Sequence, residues 1–457
     1  MPPTHQLSVD ERKGIGKLAR QRVPRASHAE WTPPPDRSDP VSVLVEQDLA
    51  RESDLVPVRH GRMMATPFTF YRGAARVMAA DLASSPASGI HVQACGDAHL
   101  SNFGAYGSPE RQLLFDLNDF DETLPGPWEW DVKRLAASFT IAARNNGFTR
   151  KQTQTVTATC AESYRTSMAR FAGMRELDVW YAHLAVDELL PLVKERARLE
   201  KAIAKAKTRD SLQAASKLTQ IVDGERRIVS DPPLLVPITD YRGIDPTQVR
   251  ALIDAAFIDY KRTLQDDRKR LLERFRVVDV ARKVVGVGSV GTLCLIALLQ
   301  GRDEDDLLFL QVKEANRSVL EDHLPASRYK NHGQRVVQGQ RLMQAASDLF
   351  LGWCIGRGQA QRHYYWRQLR DMKASAVIEQ QSPATMTGYA RVCAWTLARA
   401  HARTGDAVSI AAYLGSGTVF DSAIVEFADR YADRNEADHA AFVEAVRSGR
   451  IEAVEGL

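Results

Sequence analysis

The chain has 457 residues, a formal net charge of +4, 44% hydrophobic and 26% charged residues. That length exceeds a single compact core, and the usage is that of an ordinary globular chain, so two lobes or domains are expected. The small net charge argues against a dedicated nucleic-acid binder, and no apolar run approaches the ~18 residues of a membrane-spanning helix.

Residues 1–60 are polar and proline-bearing. Trp31-Thr32-Pro33-Pro34-Pro35 cannot be helical and reads as extended linker, and the basic stretch Lys13, Lys17, Arg20, Arg22, Arg25 reads as solvated or frayed. A helix is expected from Arg72 to Leu82, then a strand over His91–Cys95. Val132, Leu135, Ala136, Phe139 and Ala143 recur at the period of an amphipathic helix over 128–146. Residues 150–220 read as further helices, with the charge-dense Lys194–Lys207 as a solvated helix face, and Asp231-Pro232-Pro233 marks a break. Strands are predicted at Val280–Val287, Gly291–Leu299 and Leu307–Val312, with Gly301–Asp306 as the turn of a hairpin. Beyond Arg328 the chain reads as helical, apart from a strand at His363–Leu369. The five scattered cysteines lack CxxC spacing, so reduced thiols in a cytoplasmic protein are expected.

Three constellations carry chemistry. In Gly96-Asp97-Ala98-His99-Leu100-Ser101-Asn102 a carboxylate and an amide share one loop. Phosphoryl transfer needs such a pair, the carboxylate to orient the attacking hydroxyl and the amide oxygen to help hold Mg²⁺. Asp116, Asp119, Asp121 and Glu122 crowd the end of an apolar strand, where a cation relieves their repulsion. An EF-hand fits poorly, because Phe120 occupies a ligand position and the required glycine is missing. Gly286-Val287-Gly288-Ser289-Val290-Gly291 lies between apolar segments, and Lys313 ends the next strand. Glycines let backbone amides approach phosphates, and a strand lysine reaches them as a point charge. The same glycines would also open a dinucleotide-binding unit if a helix followed over Thr292–Gln300.

Other residues carry weaker signals. Asp131 is positioned either to cap the following helix or to brace the Asp97 loop from behind. Tyr71 and Arg72 could reach a phosphate or substrate, or lie on the surface. Trp353, Tyr364, Tyr365 and Trp366 suit a pocket wall, a lobe interface or core, and His401 reads as a helix terminus. His60 and His363 lack neighbours at ligand spacing.

Gly96-Asp97-x-His99-x-x-Asn102, Asp119-Phe120-Asp121 and Pro127-x-x-x-Asp131-Val132-x-x-Leu135-Ala136 together resemble the catalytic half of aminoglycoside and choline kinases. The resemblance implies Asp97 as catalytic base, His99 as the histidine that shapes its loop, Asn102 and Asp119 as Mg²⁺ ligands with Asp116 and Asp121 competing for the ion, and Asp131 as structural. It implies Gly286, Gly288, Ser289, Gly291 and Lys313 as the ATP-covering elements. Cys95 departs from the histidine usual before the Gly-Asp pair.

Lys313 follows Asp97 in the chain, the reverse of the kinase order, so the implied fold is α+β and protein-kinase-like: two-lobed, circularly permuted, with a mainly helical lobe and a smaller β-rich one. The expected divisions are an N-terminal, partly flexible extension (1–89), a catalytic lobe (90–235), a β-rich nucleotide-covering lobe (236–375) and C-terminal helices completing the catalytic lobe (376–457). The helix Tyr389–Arg403 resembles the one that leads into a kinase catalytic loop. A kinase pairs its lysine with a helix glutamate, for which Glu321 is the candidate, since the helix over 334–346 contains Gln338, Gln340 and Gln344 but no glutamate.

Phe68-x-Phe70-x-Arg72-Gly73, Asn118-Asp119-Phe120-Asp121, Gln311-Val312-Lys313-Glu314-Ala315 and Gly339-Gln340-Arg341 also resemble blocks of an uncharacterised bacterial family, domain of unknown function 2252. The expected activity is ATP- and Mg²⁺-dependent phosphotransfer to a small molecule or a protein, with neither nucleic acid nor membrane as partner. The alternatives are a nucleotide-binding pseudokinase, an AMP-transferring enzyme and a metallophosphoesterase, although the 11 histidines show no ligand cluster for the last.

Overall fold

The computed structural model describes residues 7–189, 200–201, 203–205, 211–240, 245–357, 361–369 and 372–456. Much of the expected solvated helix at Lys194–Lys207 lies outside these residues.

Where the sequence suggested a partly flexible extension over 1–89, the described residues 7–89 carry five α-helices. These are α1 (Val9–Arg22), α2 (Pro40–Asp48), α3 (Val56–Met64), α4 (Pro67–Gly73) and α5 (Ala75–Ala83). Local chemistry starts three of them. Ser8 and Glu11 form a reciprocal capping box, Asp39 caps α2 just before Pro40, and Thr66 caps α4 just before Pro67. Trp31 lacks regular structure, as expected, but is only 3% exposed. It packs on Phe427 and Tyr431 and donates Nε1–H to the Asp81 carbonyl. Arg37 bridges Asp81 and Asp438. Lys13, Lys17 and Arg22 are exposed, whereas Arg25 donates to the Leu414 carbonyl. The helix expected over 72–82 is two helices, because Ala74 leaves helical geometry (φ −105°, ψ 34°).

The middle of the chain carries two small antiparallel pairs. Strand β1 (His91–Ala94) pairs with β4 (Leu124–Pro127), and between them β2 (Phe103–Gly107) pairs with β3 (Leu113–Leu117). Helix α6 (Trp128–Asn145) follows at once, its predicted apolar stripe buried against α7 (Arg150–Ala172) and the helices Pro383–Thr404 and Val419–Arg447.

A six-stranded antiparallel sheet forms the second structural mass. After the hairpin β5 (Thr219–Val222) and β6 (Glu225–Ile228) come β7 (Leu235–Pro237), β8 (Arg276–Lys283), β9 (Cys294–Gln300), β10 (Leu307–Glu314), β11 (Gly352–Ile355) and β12 (His363–Gln368). The order is β11-β12-β10-β9-β8-β7. Side chains alternate between faces as the pleat requires. Leu308, Leu310 and Val312 pack with Phe257, Tyr260 and Trp366, while Leu307 and Phe309 pack with Ile296, Leu298 and Leu218. Helix His332–Met343 packs against β11 and β12 and against Pro383–Thr404, joining sheet to helices. The protein is therefore α+β. Because Cys294–Gln300 is a strand, the dinucleotide-binding reading of the glycine motif is excluded. All five cysteines are buried and free, and among the described residues no single helix is long and apolar enough to cross a membrane.

Candidate functional site

Asp97 sits on a loop braced from behind. The amides of Cys95 and Gly96 donate to Asp131 (2.6 and 2.9 Å), which also meets His401 Nε2 at 3.1 Å. His401 Nδ1 in turn contacts the Tyr164 hydroxyl at 2.8 Å. Asp131 thus braces the loop and does not cap α6. His401, expected to end its helix, lies in the last turn of Pro383–Thr404 and is fully buried there. Gly96 takes φ +82°, and a Cβ there would meet the Glu122 carbonyl at 2.4 Å, so both conformation and space demand glycine.

Asp97 Oδ1 accepts from Arg134 Nε at 2.8 Å and lies 2.6 Å from Arg134 Nη2, while Oδ2 stands 3.8 Å from His99 Nε2. Burial pushes the Asp97 carboxyl above its ordinary range, Arg134 opposes this, and Asp119 adds repulsion. His99 accepts the Ser101 amide proton at Nδ1, and burial together with Arg72 and Arg134 holds its imidazole well below the ordinary range. It is a neutral loop-shaping residue. Asn102 Nδ2 donates to the Asp97 carbonyl at 2.7 Å, which leaves the amide oxygen for other partners.

The crowded acids divide into three roles. Asp116, a candidate metal ligand by sequence, is 1% exposed on β3 and lines neither cavity described below. It is 2.5 Å from Arg399 and accepts from the Ala345 amide, so its charge is spent inside the core. Asp121, the second competitor, accepts from Lys313 Nζ at 2.6 Å and from the Tyr365 hydroxyl at 2.6 Å. Asp119 lies 3.7 Å from Lys313. Burial opposes its ionisation, but Lys313, Arg367 and Lys373 outweigh this and hold the carboxyl below its ordinary range. Lys313, despite its burial, is held well above its ordinary range by Asp119 and Asp121. The lysine partner is therefore Asp121, not Glu321, whose carboxylate accepts from the Ser318 and Ser327 amides and stands 4.0 Å from Arg335.

The glycine loop joins β8 to β9. Gly286 and Gly291 take φ +71° and +87°, and a Cβ on Gly288 would stand 2.9 Å from the Arg72 carbonyl. The N-terminal helices hold the loop. Arg62 donates to the Gly286 carbonyl, Arg51 to that of Val290, and the Glu52 amide to that of Gly291.

Two cavities flank this loop. One, of about 520 Å³, is lined by Gln311, Lys313, Gln340, Phe350, Arg367 and Lys373 among others. The other, of about 420 Å³, is lined by Arg72, Asp97, His99, Asn102, Asp121 and Glu122 among others. Asp119, Gly286 and Ser289 line both, so the cavities meet at the acidic loop and the loop of glycines. The catalytic, metal and phosphate candidates are thus together, apart from Asp116 and Gly291, which line neither cavity.

Asp119 and the Asn102 oxygen are hard donors facing one cavity, and among the described residues no group of three or more His, Cys, Asp or Glu closes around an ion. Two protein donors suit Mg²⁺, which keeps waters and binds substrate phosphates, and do not suit the His-rich two-metal site of a phosphoesterase.

Four site residues were missed or undervalued by sequence. Arg134 follows Asp131 by nearly one helical turn, inside an apolar stripe where a cation needs a buried partner. Tyr365, first read as pocket wall or core, donates to Asp121. Arg367 donates to Gln311 and to the Asn118 carbonyl, and neither it nor Lys373 lies in a recognisable motif.

The chain belongs to the family described as uncharacterized protein conserved in bacteria (DUF2252), whose model matches residues 51–445. No curated protein and no solved structure matches it.

Proposed function

We propose that this protein is an ATP- and Mg²⁺-dependent phosphotransferase with a kinase-like, circularly permuted arrangement. The observation that carries this reading is Lys313 standing 3.7 Å from Asp119, beside a glycine loop that borders the cavity holding Asp97 and Asn102. On this reading the sheet covers the nucleotide, and the triphosphate lies in the larger cavity near Lys313, Arg367 and Lys373. The helices before and after the sheet together form the catalytic lobe.

Asn102 and Asp119 would hold the metal, which neutralises charge on the phosphates. Asp97 Oδ2, the oxygen that Arg134 leaves free, accepts the proton of an acceptor hydroxyl. The hydroxyl oxygen bonds to the γ-phosphorus as the bond to ADP breaks, and positioned proton acceptance of this kind contributes typically ~10²–10⁴-fold. AMP transfer would use the same groups with attack at the α-phosphorus. A pseudokinase is the second reading, favoured by one observation: Arg134 engages Asp97 with two nitrogens, which reduces the basicity of Oδ1.

Calorimetry with ATP, with and without Mg²⁺, tests nucleotide binding. Absence of Mg²⁺-dependent binding would defeat both readings.

A further inference from the structure

The smaller cavity is rich in arginine. Four arginines line it: Arg51, Arg72, Arg76 and Arg317. Arg51 is 3.4 Å from Asp48 and donates to the Val290 carbonyl. Arg76 is paired with Asp322 at 3.0 Å and Glu46 at 3.3 Å, and Arg317 with Asp322 at 2.6 Å. Among the described residues, Arg72 alone of these four has no carboxylate within ion-pair distance, and its Nε is buried without a hydrogen-bond partner. Its guanidinium carbon stands over the Phe68 ring, 6.0 Å from the centroid. Glu379 and Asp97 act on this guanidinium only from beyond ion-pair distance and do not offset the cost of its desolvation, and an oxyanion ligand would relieve that cost by bidentate hydrogen bonding.

The backbone leading into Arg72 is also tied to Asp97. Arg134 engages Asp97 and, through Nη2, the Tyr71 carbonyl at 3.0 Å, while the Tyr71 hydroxyl donates to the Arg134 carbonyl at 2.7 Å. One side chain of α6 therefore ties the base to the residue preceding Arg72. On the opposite side Gly288 abuts the Arg72 carbonyl, so the residue is wedged between glycine loop and base. A cavity of about 420 Å³ is small-molecule sized.

We propose that the smaller cavity binds a small acceptor carrying an oxyanion, a carboxylate or a phosphate, with Arg72 as the residue that grips that group and presents a neighbouring hydroxyl to Asp97. This rests on the phosphotransferase reading for the hydroxyl, but not for the oxyanion.

The test is calorimetric titration of inorganic phosphate and, separately, acetate into the full chain, with the nucleotide site filled by a non-hydrolysable ATP analogue and Mg²⁺, and again without nucleotide. Wild type should bind at least one of the two anions, and phosphate against acetate distinguishes the source. Arg72→Met should weaken that binding at least tenfold and leave the affinity for the analogue within a few-fold. Arg72→Lys, which keeps the charge and guards against a folding defect in the first variant, should retain part of it. Undiminished anion binding by Arg72→Met, or no anion binding by wild type, overturns the proposal. So does a tenfold loss of analogue affinity in Arg72→Met with anion binding intact, which would assign Arg72 to the nucleotide. Failure of the analogue to bind wild type sinks the phosphotransferase reading alone, since the nucleotide-free titration still reports on Arg72.

Discussion

Lys313 Nζ lies 2.6 Å from Asp121 Oδ2, although the two residues are 192 positions apart in the chain. The carboxylate comes from the acidic loop itself and not from a neighbouring helix. Lys313→Ala should therefore weaken ATP binding roughly tenfold or more by removing a charge from the phosphates. Asp121→Asn should act through the lysine, lowering nucleotide affinity while leaving the Mg²⁺ concentration for half-maximal binding close to wild type. Asp119→Asn should abolish the Mg²⁺ dependence. Calorimetric Mg²⁺ titrations of the three variants give the ranking, and a reversed order of Asp119 and Asp121 would move the metal to Asp121.

Asp116 should behave as a structural residue. It forms a buried pair with Arg399, and breaking such a pair by removing one partner typically costs about 3–5 kcal/mol. Asp116→Asn should lower the unfolding midpoint in urea and leave Mg²⁺ dependence unchanged in the folded fraction. A stable variant with altered metal response would return Asp116 to the site.

These assignments separate what the residue order reveals from what only packing reveals. The pairing of the Asp97–Asn102 loop with Asp119 was legible, because function-bearing residue types recur there in one short order, and the strand carrying Lys313 was legible from its apolar run. The choice among Asp116, Asp119 and Asp121 was not. All three sit within six positions, and the partner of each comes from a distant element: Arg399, Lys313 and Tyr365. Arg72 stayed open between ligand contact and surface, and Arg367 was hidden, for the same reason, since the partners of an arginine are a tertiary fact. The N-terminal helices were obscured by composition: Pro33–Pro35 drew attention to an extended stretch, while Ser8-x-x-Glu11 just upstream already held a capping box.

Glu122 supplies a pH signature for stability. Burial lifts its carboxyl from 4.5 to about 7, with Arg335 and the Val319 amide opposing and Asp121 and Asp97 adding to the lift. A carboxyl whose folded pKa exceeds its unfolded value binds protons more tightly in the native state. Its contribution to stability is therefore greatest below about 4.5 and is lost as pH rises to about 7. Urea unfolding midpoints across that window should fall less steeply with pH in Glu122→Gln than in wild type. Parallel slopes would remove Glu122 as the source.

Asp97 gives a signature for activity. Its carboxyl is raised by burial, and a base works only when deprotonated, so transfer should rise with pH through an apparent pKa above the ordinary aspartate value. Asp97→Asn should lower transfer by ~10²–10⁴-fold and leave ATP affinity within a few-fold. A variant that transfers as well as wild type would remove Asp97 from the base role.

The most direct measurement is label transfer from ATP labelled at the γ-phosphate and, in parallel, at the α-phosphate, with cell lysate as the acceptor pool and with the protein itself as acceptor. A phosphotransferase built on Asp97, Asp119 and Lys313 moves the γ-label in a Mg²⁺-dependent manner, and Asp97→Asn abolishes the transfer. Tight, Mg²⁺-dependent ATP binding with no transfer of either label, or transfer of the α-label alone, would contradict it.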